Sequence, residues 1–112
     1  MDIYQTIENV LVAAGIETYQ VYPNVVTGGT YVYFQRVSTD KLGNFGLRND
    51  RFRFTCVAQD SSDLKTLIAS VENALYFNQI DFDLVFPVFQ MEGSEGKHLY
   101  SKMDMYIEYK ET

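Results

Sequence analysis

The stretch RFRFTCVAQDSSDLKTLIASVENAL, residues 51–75, constrains the fold of this chain more than any other part of the sequence. Apolar residues occupy every second position among its first nine residues, which is the period of a β-strand that buries one face. The residues on the face expected to be buried are Phe52, Phe54, Cys56 and Ala58. A strand is therefore expected over residues 51–59. Because it leads directly into a helix, we expect the two elements to pack their apolar sides together.

The second part of the stretch predicts an amphipathic helix that begins at a cluster of capping residues. Asp60, Ser61 and Ser62 are candidate N-caps, and Asp63 adds negative charge to the first turn, which the helix dipole favours. Apolar residues then recur at helical spacing up to an end near Asn78. They are Leu64, Leu67, Ile68, Val71, Ala74 and Leu75. We expect two residues of the strand and five of the helix to form the centre of the core: Phe52, Phe54, Leu64, Leu67, Ile68, Val71 and Leu75.

The other segments complete an α+β pattern. The predicted order is a helix at 2–15, a short strand at 16–24, strands at 30–39 and 51–59 around a loop at 40–50, the helix described above, and strands at 81–91 and 98–110 around a turn at 92–97. This order predicts a largely antiparallel β-sheet with two helices packed on one face, and an extended β-hairpin. Pro87 cannot donate to a strand ladder, so its strand is expected at an edge or at a bulge. The 112 residues are expected to form a single domain, residues 1–112.

Composition excludes several classes of protein. The formal net charge is −6, and the nine Lys and Arg residues are scattered, so the chain lacks the basic field that nucleic-acid binding requires. No apolar run approaches the ~20 residues of a membrane span, and no secretory signal opens the sequence. The single cysteine, Cys56, can form no internal disulfide, which indicates a reducing compartment. The chain is therefore expected to be soluble and cytoplasmic at synthesis.

No pattern points to catalysis, a metal or a cofactor. A Ser-His-Asp interpretation would combine His98, the only histidine, with Ser94 or Ser101 and Asp104, yet neither serine lies in a nucleophile-elbow pattern. A surface histidine is the simpler interpretation. Cys56 lies on an apolar strand face and is interpreted as a buried structural thiol. One Cys and one His offer no zinc spacing.

Three stretches resemble a known family when they are taken together. YQVYPN follows the first helix, TYVYFQR forms the next strand, and residues 51–75 carry the strand-Asp-Ser-helix run. Over residues 2–77 this order is similar to the tail completion proteins of long-tailed bacteriophages. These are the small tail-terminator and head–tail joining proteins that are also found in gene transfer agents. Family members often have a proline-containing segment before the first hairpin strand, and VVTGGT stands in that place here.

The resemblance implies a structural virion protein without catalysis. Family members form a ring, usually of six copies, that terminates the tail tube and joins it to the head connector, with DNA passing through the centre. It therefore implies a homo-oligomer, a hexamer, whose partners are the tail tube protein and the head–tail connector proteins. It also implies a place in the tail or neck of the virion after assembly in the host cytoplasm. The acidic balance suits this role, because a negative lumen would not hold passing DNA.

The loop predicted at residues 40–50 is the candidate assembly contact. A hairpin of this kind can turn in a few residues and eleven are used, and connections longer than their turn requires are more often functional. The candidate residues for contact with a neighbouring subunit or the tail tube are Lys41, Leu42, Asn44, Phe45, Leu47 and Arg48. The alternative is that Phe45 folds back over its own sheet.

Two other functions are compatible with a chain of this size and class. The first is a small dimeric α+β ligand-binding or regulatory domain, which requires a concave pocket with convergent polar groups. No pattern in the sequence locates such a pocket. The second is a hydrolase that uses His98. A ring should purify as a multimer or assemble only with tail tubes, whereas a regulatory domain should be a dimer that a small ligand stabilises.

Overall fold

The computed structural model describes residues 2–21, 29–42 and 46–110, with residues 40–42 described as backbone alone. Its elements are α1 (Ile3–Ala13), β1 (Thr18–Gln20), β2 (Tyr31–Leu42), β3 (Leu47–Ala58), α2 (Ser61–Tyr76), β4 (Leu84–Glu95) and β5 (His98–Lys110). The strands form one sheet in the order β1-β2-β3-β5-β4. β1 runs parallel to β2, and every other neighbouring pair is antiparallel. The predicted α+β class with a largely antiparallel sheet is confirmed.

The two helices begin at the residues that can cap them. Asp2 and Asp60 have extended backbones, and their carboxylates accept the backbone N–H groups of Gln5 and Asp63 at 3.2 and 2.8 Å. These bonds satisfy donors that a helix N-terminus otherwise leaves unpaired. After α1 the chain turns at Gly15, whose φ of +82° is a left-handed conformation that favours glycine.

Both helices pack on the same face of the sheet. Apolar side chains of β2, β3 and β5 on that face are buried, and so are the apolar stripes of α1 and α2. The predicted centre of the core is confirmed, because all of its members are buried: Phe52, Phe54, Leu64, Leu67, Ile68, Val71 and Leu75. Phe34 joins them, with its ring centre 5.5 Å from that of Tyr4 and 5.5 Å from that of Phe54. The centre is therefore an aromatic cluster as well as an aliphatic one.

Cys56 lies inside this core. It is fully buried, and burial, together with the negative charge of Glu72, raises the pKa of its thiol to about 12. A thiol with such a pKa carries almost no thiolate, the reactive form, at neutral pH. The interpretation of Cys56 as a structural residue therefore agrees with its surroundings.

The first long hairpin is more regular than predicted. The loop predicted at residues 40–50 is wrong, because most of these residues belong to strands. β2 continues to Leu42 and β3 begins at Leu47, and these two residues are cross-strand partners. Residues 43–45 at the tip lie outside the described residues. Pairing with β3 therefore overrides the low strand propensity of the Asp and Asn residues in this stretch.

The second long hairpin differs from the prediction in the same way. The turn predicted at residues 92–97 is wrong in its extent, because β4 continues to Glu95, which pairs with His98. The chain reverses at Gly96, whose φ is +62°. Pro87 lies in the edge strand β4, and the register shifts beside it, so the predicted edge position and the bulge are both found.

Candidate assembly surface

The face of the sheet opposite the helices, which we call the open face, is covered by its own long side chains. Tyr31, Thr55 and Val57 are buried there, although both described helices pack on the other side. The long side chains are Tyr19, Tyr31, Tyr33, Arg51, Arg53, Phe86, Tyr100 and Tyr106. Tyrosine, phenylalanine and arginine are the residue types that protein–protein interfaces favour. The composition of the open face therefore suits a contact with another protein.

A buried carboxylate lies at the middle of the open face. Asp104 accepts hydrogen bonds from Nε and Nη2 of Arg51 at 2.9 and 2.7 Å, and from Nε and Nη2 of Arg53 at 2.8 and 3.0 Å. Burial by itself would raise the pKa of Asp104, but the hydrogen bonds and charges of Arg53 and Arg51 outweigh it, so the pKa is lowered. Asp104 is thus a fixed anion that holds two arginine side chains flat over the sheet.

The triad that a hydrolase would require is not assembled. Ser101 is buried and Asp104 lies on the other face of β5, because positions three apart in a strand point to opposite sides. His98 shares the open face with Asp104, but it lies six positions earlier in the strand, roughly 20 Å away. Ser94 pairs with Leu99, on the side of the helices. The His98 hydrolase interpretation therefore has no supporting geometry.

A hollow of about 450 Å³ lies on the open face beside the β4–β5 turn. It is lined by Tyr31, Tyr33, Thr55, Val57, Glu95, His98, Tyr100 and Lys102. Gly93 lies opposite Tyr100, and a β-carbon on Gly93 would come within 2.6 Å of the ring carbon Cζ, so glycine is what lets this ring lie across β4. The Lys102 ammonium lies 5.5 Å from the same ring centre. The hollow has the volume of a small-molecule site and contains charged groups.

A second buried carboxylate braces the first hairpin near its tip. Asp50 is fully buried, accepts a hydrogen bond from the Tyr109 hydroxyl at 2.5 Å, and pairs with Nε of Arg36 at 3.0 Å. Nη2 of Arg48 lies 3.7 Å from the other carboxylate oxygen. Burial and the hydrogen bond to Asp50 raise the pKa of Tyr109 to about 12. The cluster ties β2, β3 and β5 together three residue pairs from the pair Leu42–Leu47 that ends the ladder at the tip.

The six predicted contact residues are only partly described. They are Lys41, Leu42, Asn44, Phe45, Leu47 and Arg48. Lys41 and Leu42 are backbone positions at the end of β2, and Asn44 and Phe45 lie outside the described residues. Leu47 is half-buried at the start of β3. Arg48 donates to the Thr39 hydroxyl at 3.2 Å and belongs to the Asp50 cluster, a bracing role that the sequence pattern did not indicate.

Most of the exposed apolar surface lies along β4 and the turn before it. Among the described residues, ten large apolar side chains are exposed, and seven of them lie between residues 77 and 91. These seven, which we call the β4 edge, are Phe77, Ile80, Leu84, Phe86, Val88, Phe89 and Met91. The remaining three are Val12, Val21 and Val37. A concentration of this kind marks an interaction surface, since isolated exposed apolar residues are common but clusters are not. The apolar character of both faces of DLVFPVFQM was the available signal for it in the sequence.

Metal binding and membrane insertion find no support in the described part of the chain. No three His, Cys, Asp or Glu side chains among its residues are grouped so as to hold a metal ion. Neither α1 nor α2 is long and apolar enough to cross a membrane, and these are the helices that the described residues contain.

Comparison with known proteins gives a match to the fold of this chain but none to its sequence. No protein-family model matches this chain, and no curated protein sequence matches it. Among solved structures, the fold is similar to that of a chain in the virion of a native gene transfer agent particle, with a TM-score of 0.68. The likeness covers 97% of this chain and 92% of that chain, at 15% sequence identity. This protein therefore shares its fold, over nearly its whole length, with a chain of a gene transfer agent virion.

Proposed function

We propose that this protein is a structural component of a phage-like virion that forms a ring at the end of the tail tube and joins the tail to the head connector. The observation that carries the proposal is the fold shared with a gene transfer agent virion chain over 97% of this sequence. The resemblance of residues 2–77 to tail completion proteins supports it independently of the structure. DNA passes through such a ring, and a net charge of −6 is suited to passage without binding.

The arrangement of the chain supports a structural role over a catalytic one. The buried charged groups Asp50 and Asp104 hold arginine and tyrosine side chains in place, and each lies in the sheet itself. Two long hairpins and a face rich in aromatic residues offer extended surfaces for neighbouring proteins. The proposed partners are further copies of this chain, six in the ring, the tail tube protein and the head–tail connector.

Deletion of the gene in the strain that produces the particles tests the proposal. Negative-stain microscopy should then show filled heads separate from tails, and tails without a uniform end structure. Expression of the wild-type gene from a plasmid should restore joined particles. Normal yields of joined particles from the deletion strain would contradict the proposed function.

The tip of the first hairpin is proposed as a contact within this assembly. Replacing Phe45 and Leu47 together with serine should leave the melting temperature within a few degrees of wild type and should abolish tail capping, because a partner loses its apolar anchors. The measurements are thermal unfolding of the purified protein and complementation of the deletion strain. Val12→Ser, at an exposed position of α1, is the matched control and should complement fully. A double variant that melts much earlier yet still assembles in the cold would show that these residues cover the core.

The hollow beside the β4–β5 turn favours one second function, a dimeric ligand-binding domain. Its tyrosine rings and the ammonium of Lys102 would suit a small aromatic carboxylate. Under this alternative, benzoate-type compounds should raise the melting temperature of a dimeric protein, and Lys102→Ala should remove the increase. An unchanged melting temperature throughout such a series would exclude this function for the compounds tested.

A further inference from the structure

The β4 edge lies on and just before an outer strand of the sheet. β4 pairs with β5 on one side, and no described strand pairs with it on the other. The turn before it presents Ile80 at 96% exposure and Phe77 at 76%. This turn is held in shape, because the Asn78 side chain accepts the backbone N–H groups of Ile80 and Asp81 and donates to the Asp81 carboxylate. An ordered turn that displays two apolar side chains has the character of a binding anchor.

The opposite side of the sheet has a complementary exposed segment. β1 pairs with β2 only at residues 32–34, so residues 35–42, which we call the free part of β2, have no described strand beside them on that side. Val37 is exposed there, as the extra residue of a bulge between Arg36 and Ser38. The bulge is held by the backbone N–H of Arg36, which donates to the Tyr4 hydroxyl at 2.8 Å.

The bulges on the two exposed sides lie at about the same height along the strand direction. One row of paired residues crosses the four long strands through Arg36, Phe52, Met105 and Pro87. Val37 follows the first of these and Val88 follows the last, each as the extra residue of a bulge, at 44% and 41% exposure. β2 and β4 run in opposite directions, because three antiparallel pairings separate them. A copy rotated about an axis along the strands would therefore bring its Val37 beside Val88 with little displacement along that axis.

Charge also differs between the two sides. Between Lys65 and Lys97 the sequence has no Lys, Arg or His and five acidic residues, so the segment that contains the β4 edge is uniformly acidic. The free part of β2 instead carries a formal charge of +1, from Arg36, Lys41 and Asp40. Opposite charges on the two sides favour contact between unlike edges and disfavour contact between two β4 edges.

We propose that the β4 edge of one copy packs against the free part of β2 in a second copy, head to tail, with Val88 against Val37. This inference rests on the proposed ring and specifies how its subunits meet. Pro87 and the two bulges interrupt strand pairing, so the contact is made by side chains and not by a continuous ladder. A head-to-tail contact repeats from copy to copy and closes into a ring when the rotation allows it.

Three aspartate variants of the purified protein test the contact. Val37→Asp and Val88→Asp each place an unpaired charge in it, and each should weaken association by roughly tenfold or more. Thr66→Asp adds the same charge at an exposed position of α2 and should associate like wild type. Sedimentation velocity measures the masses, and thermal unfolding checks that each variant is folded. Ile80→Asp, at a nearly fully exposed position, replaces Val88→Asp if the latter unfolds.

Mixing the two valine variants gives the decisive result. At a concentration at which each variant alone is monomeric, an equimolar mixture should form dimers that do not grow, because one intact contact remains per pair. A Val37→Asp protein that associates like wild type, a mixture that stays monomeric, or wild-type protein that is monomeric at every concentration would overturn the inference. If the deletion strain loses joined particles but both variants restore them, the proposed function stands and this contact is wrong. If mixing gives dimers but deletion has no effect, the contact stands without the proposed function.

Discussion

Phe52→Ala is expected to lower the free energy of unfolding by about 3–5 kcal/mol, the range for removing a large aromatic side chain from a packed core. Phe52 is fully buried, and its ring centre lies 5.6, 6.2 and 6.4 Å from those of Tyr4, Phe34 and Phe54. Removing the ring leaves a cavity among rigid aromatic neighbours that cannot close over it. Urea unfolding followed by circular dichroism measures the change from the transition midpoint and slope.

Phe77→Ala is the matched control for this experiment. The same atoms are removed from a side chain that is 76% exposed, so the free energy of unfolding should change by no more than about 0.5 kcal/mol. Equal losses for the two variants would mean that the aromatic cluster is not the centre of the core.

Asp50→Ala is expected to destabilise the protein by about 3 kcal/mol, at the lower end of the range for breaking a buried ion pair. The substitution leaves the Tyr109 hydroxyl without its acceptor and the guanidinium of Arg36 without its anion. The loss stays at the lower end because the Arg36 side chain is 29% exposed and water can partly replace the carboxylate. Urea unfolding at neutral pH measures it, and a change below about 1 kcal/mol would show that the cluster does not brace the hairpin.

Alkaline pH provides an independent measure of the same cluster. The pKa of Tyr109 is about 12 in the folded protein and 10 in the unfolded chain, so the folded state holds the phenolic proton more tightly. The resulting stabilisation is fully present below pH ~10 and is lost as the pH rises through about 12. Unfolding measured over this range should show a shallower decline for Tyr109→Phe than for wild type. Parallel curves would remove Tyr109 as the titrating group.

The local elements could be predicted from the sequence because short-range forces decide them. The strand at residues 51–59 and the following helix need only period, caps and apolar spacing, and α2 is capped by Asp60, one of three candidates named from the sequence. For these elements, the local preference and the tertiary packing agree.

The long-range partners decided what the sequence left open. The residues next to Asp104 and Asp50 in the sequence do not indicate that these carboxylates are buried. Each is buried by a partner more than fifty positions away, Asp104 by Arg51 at a separation of 53 and Asp50 by Tyr109 at a separation of 59. The extension of β2 and β3 to the hairpin tip likewise depends on a cross-strand ladder that local propensity opposes.

The candidate surfaces also depend partly on local sequence and partly on long-range strand pairing. The sequence alone determined the fold class, the core stripes and a resemblance to tail completion proteins, because patterning and turn chemistry are properties of neighbouring residues. Pro87 restricted β4 to an edge or a bulge, but only the sheet order β1-β2-β3-β5-β4 decided that residues 35–42 of β2 have no described strand beside them on the other side. Strand order depends on which distant segments pair, and the apolar run LVFPVF does not specify that its strand pairs with β5.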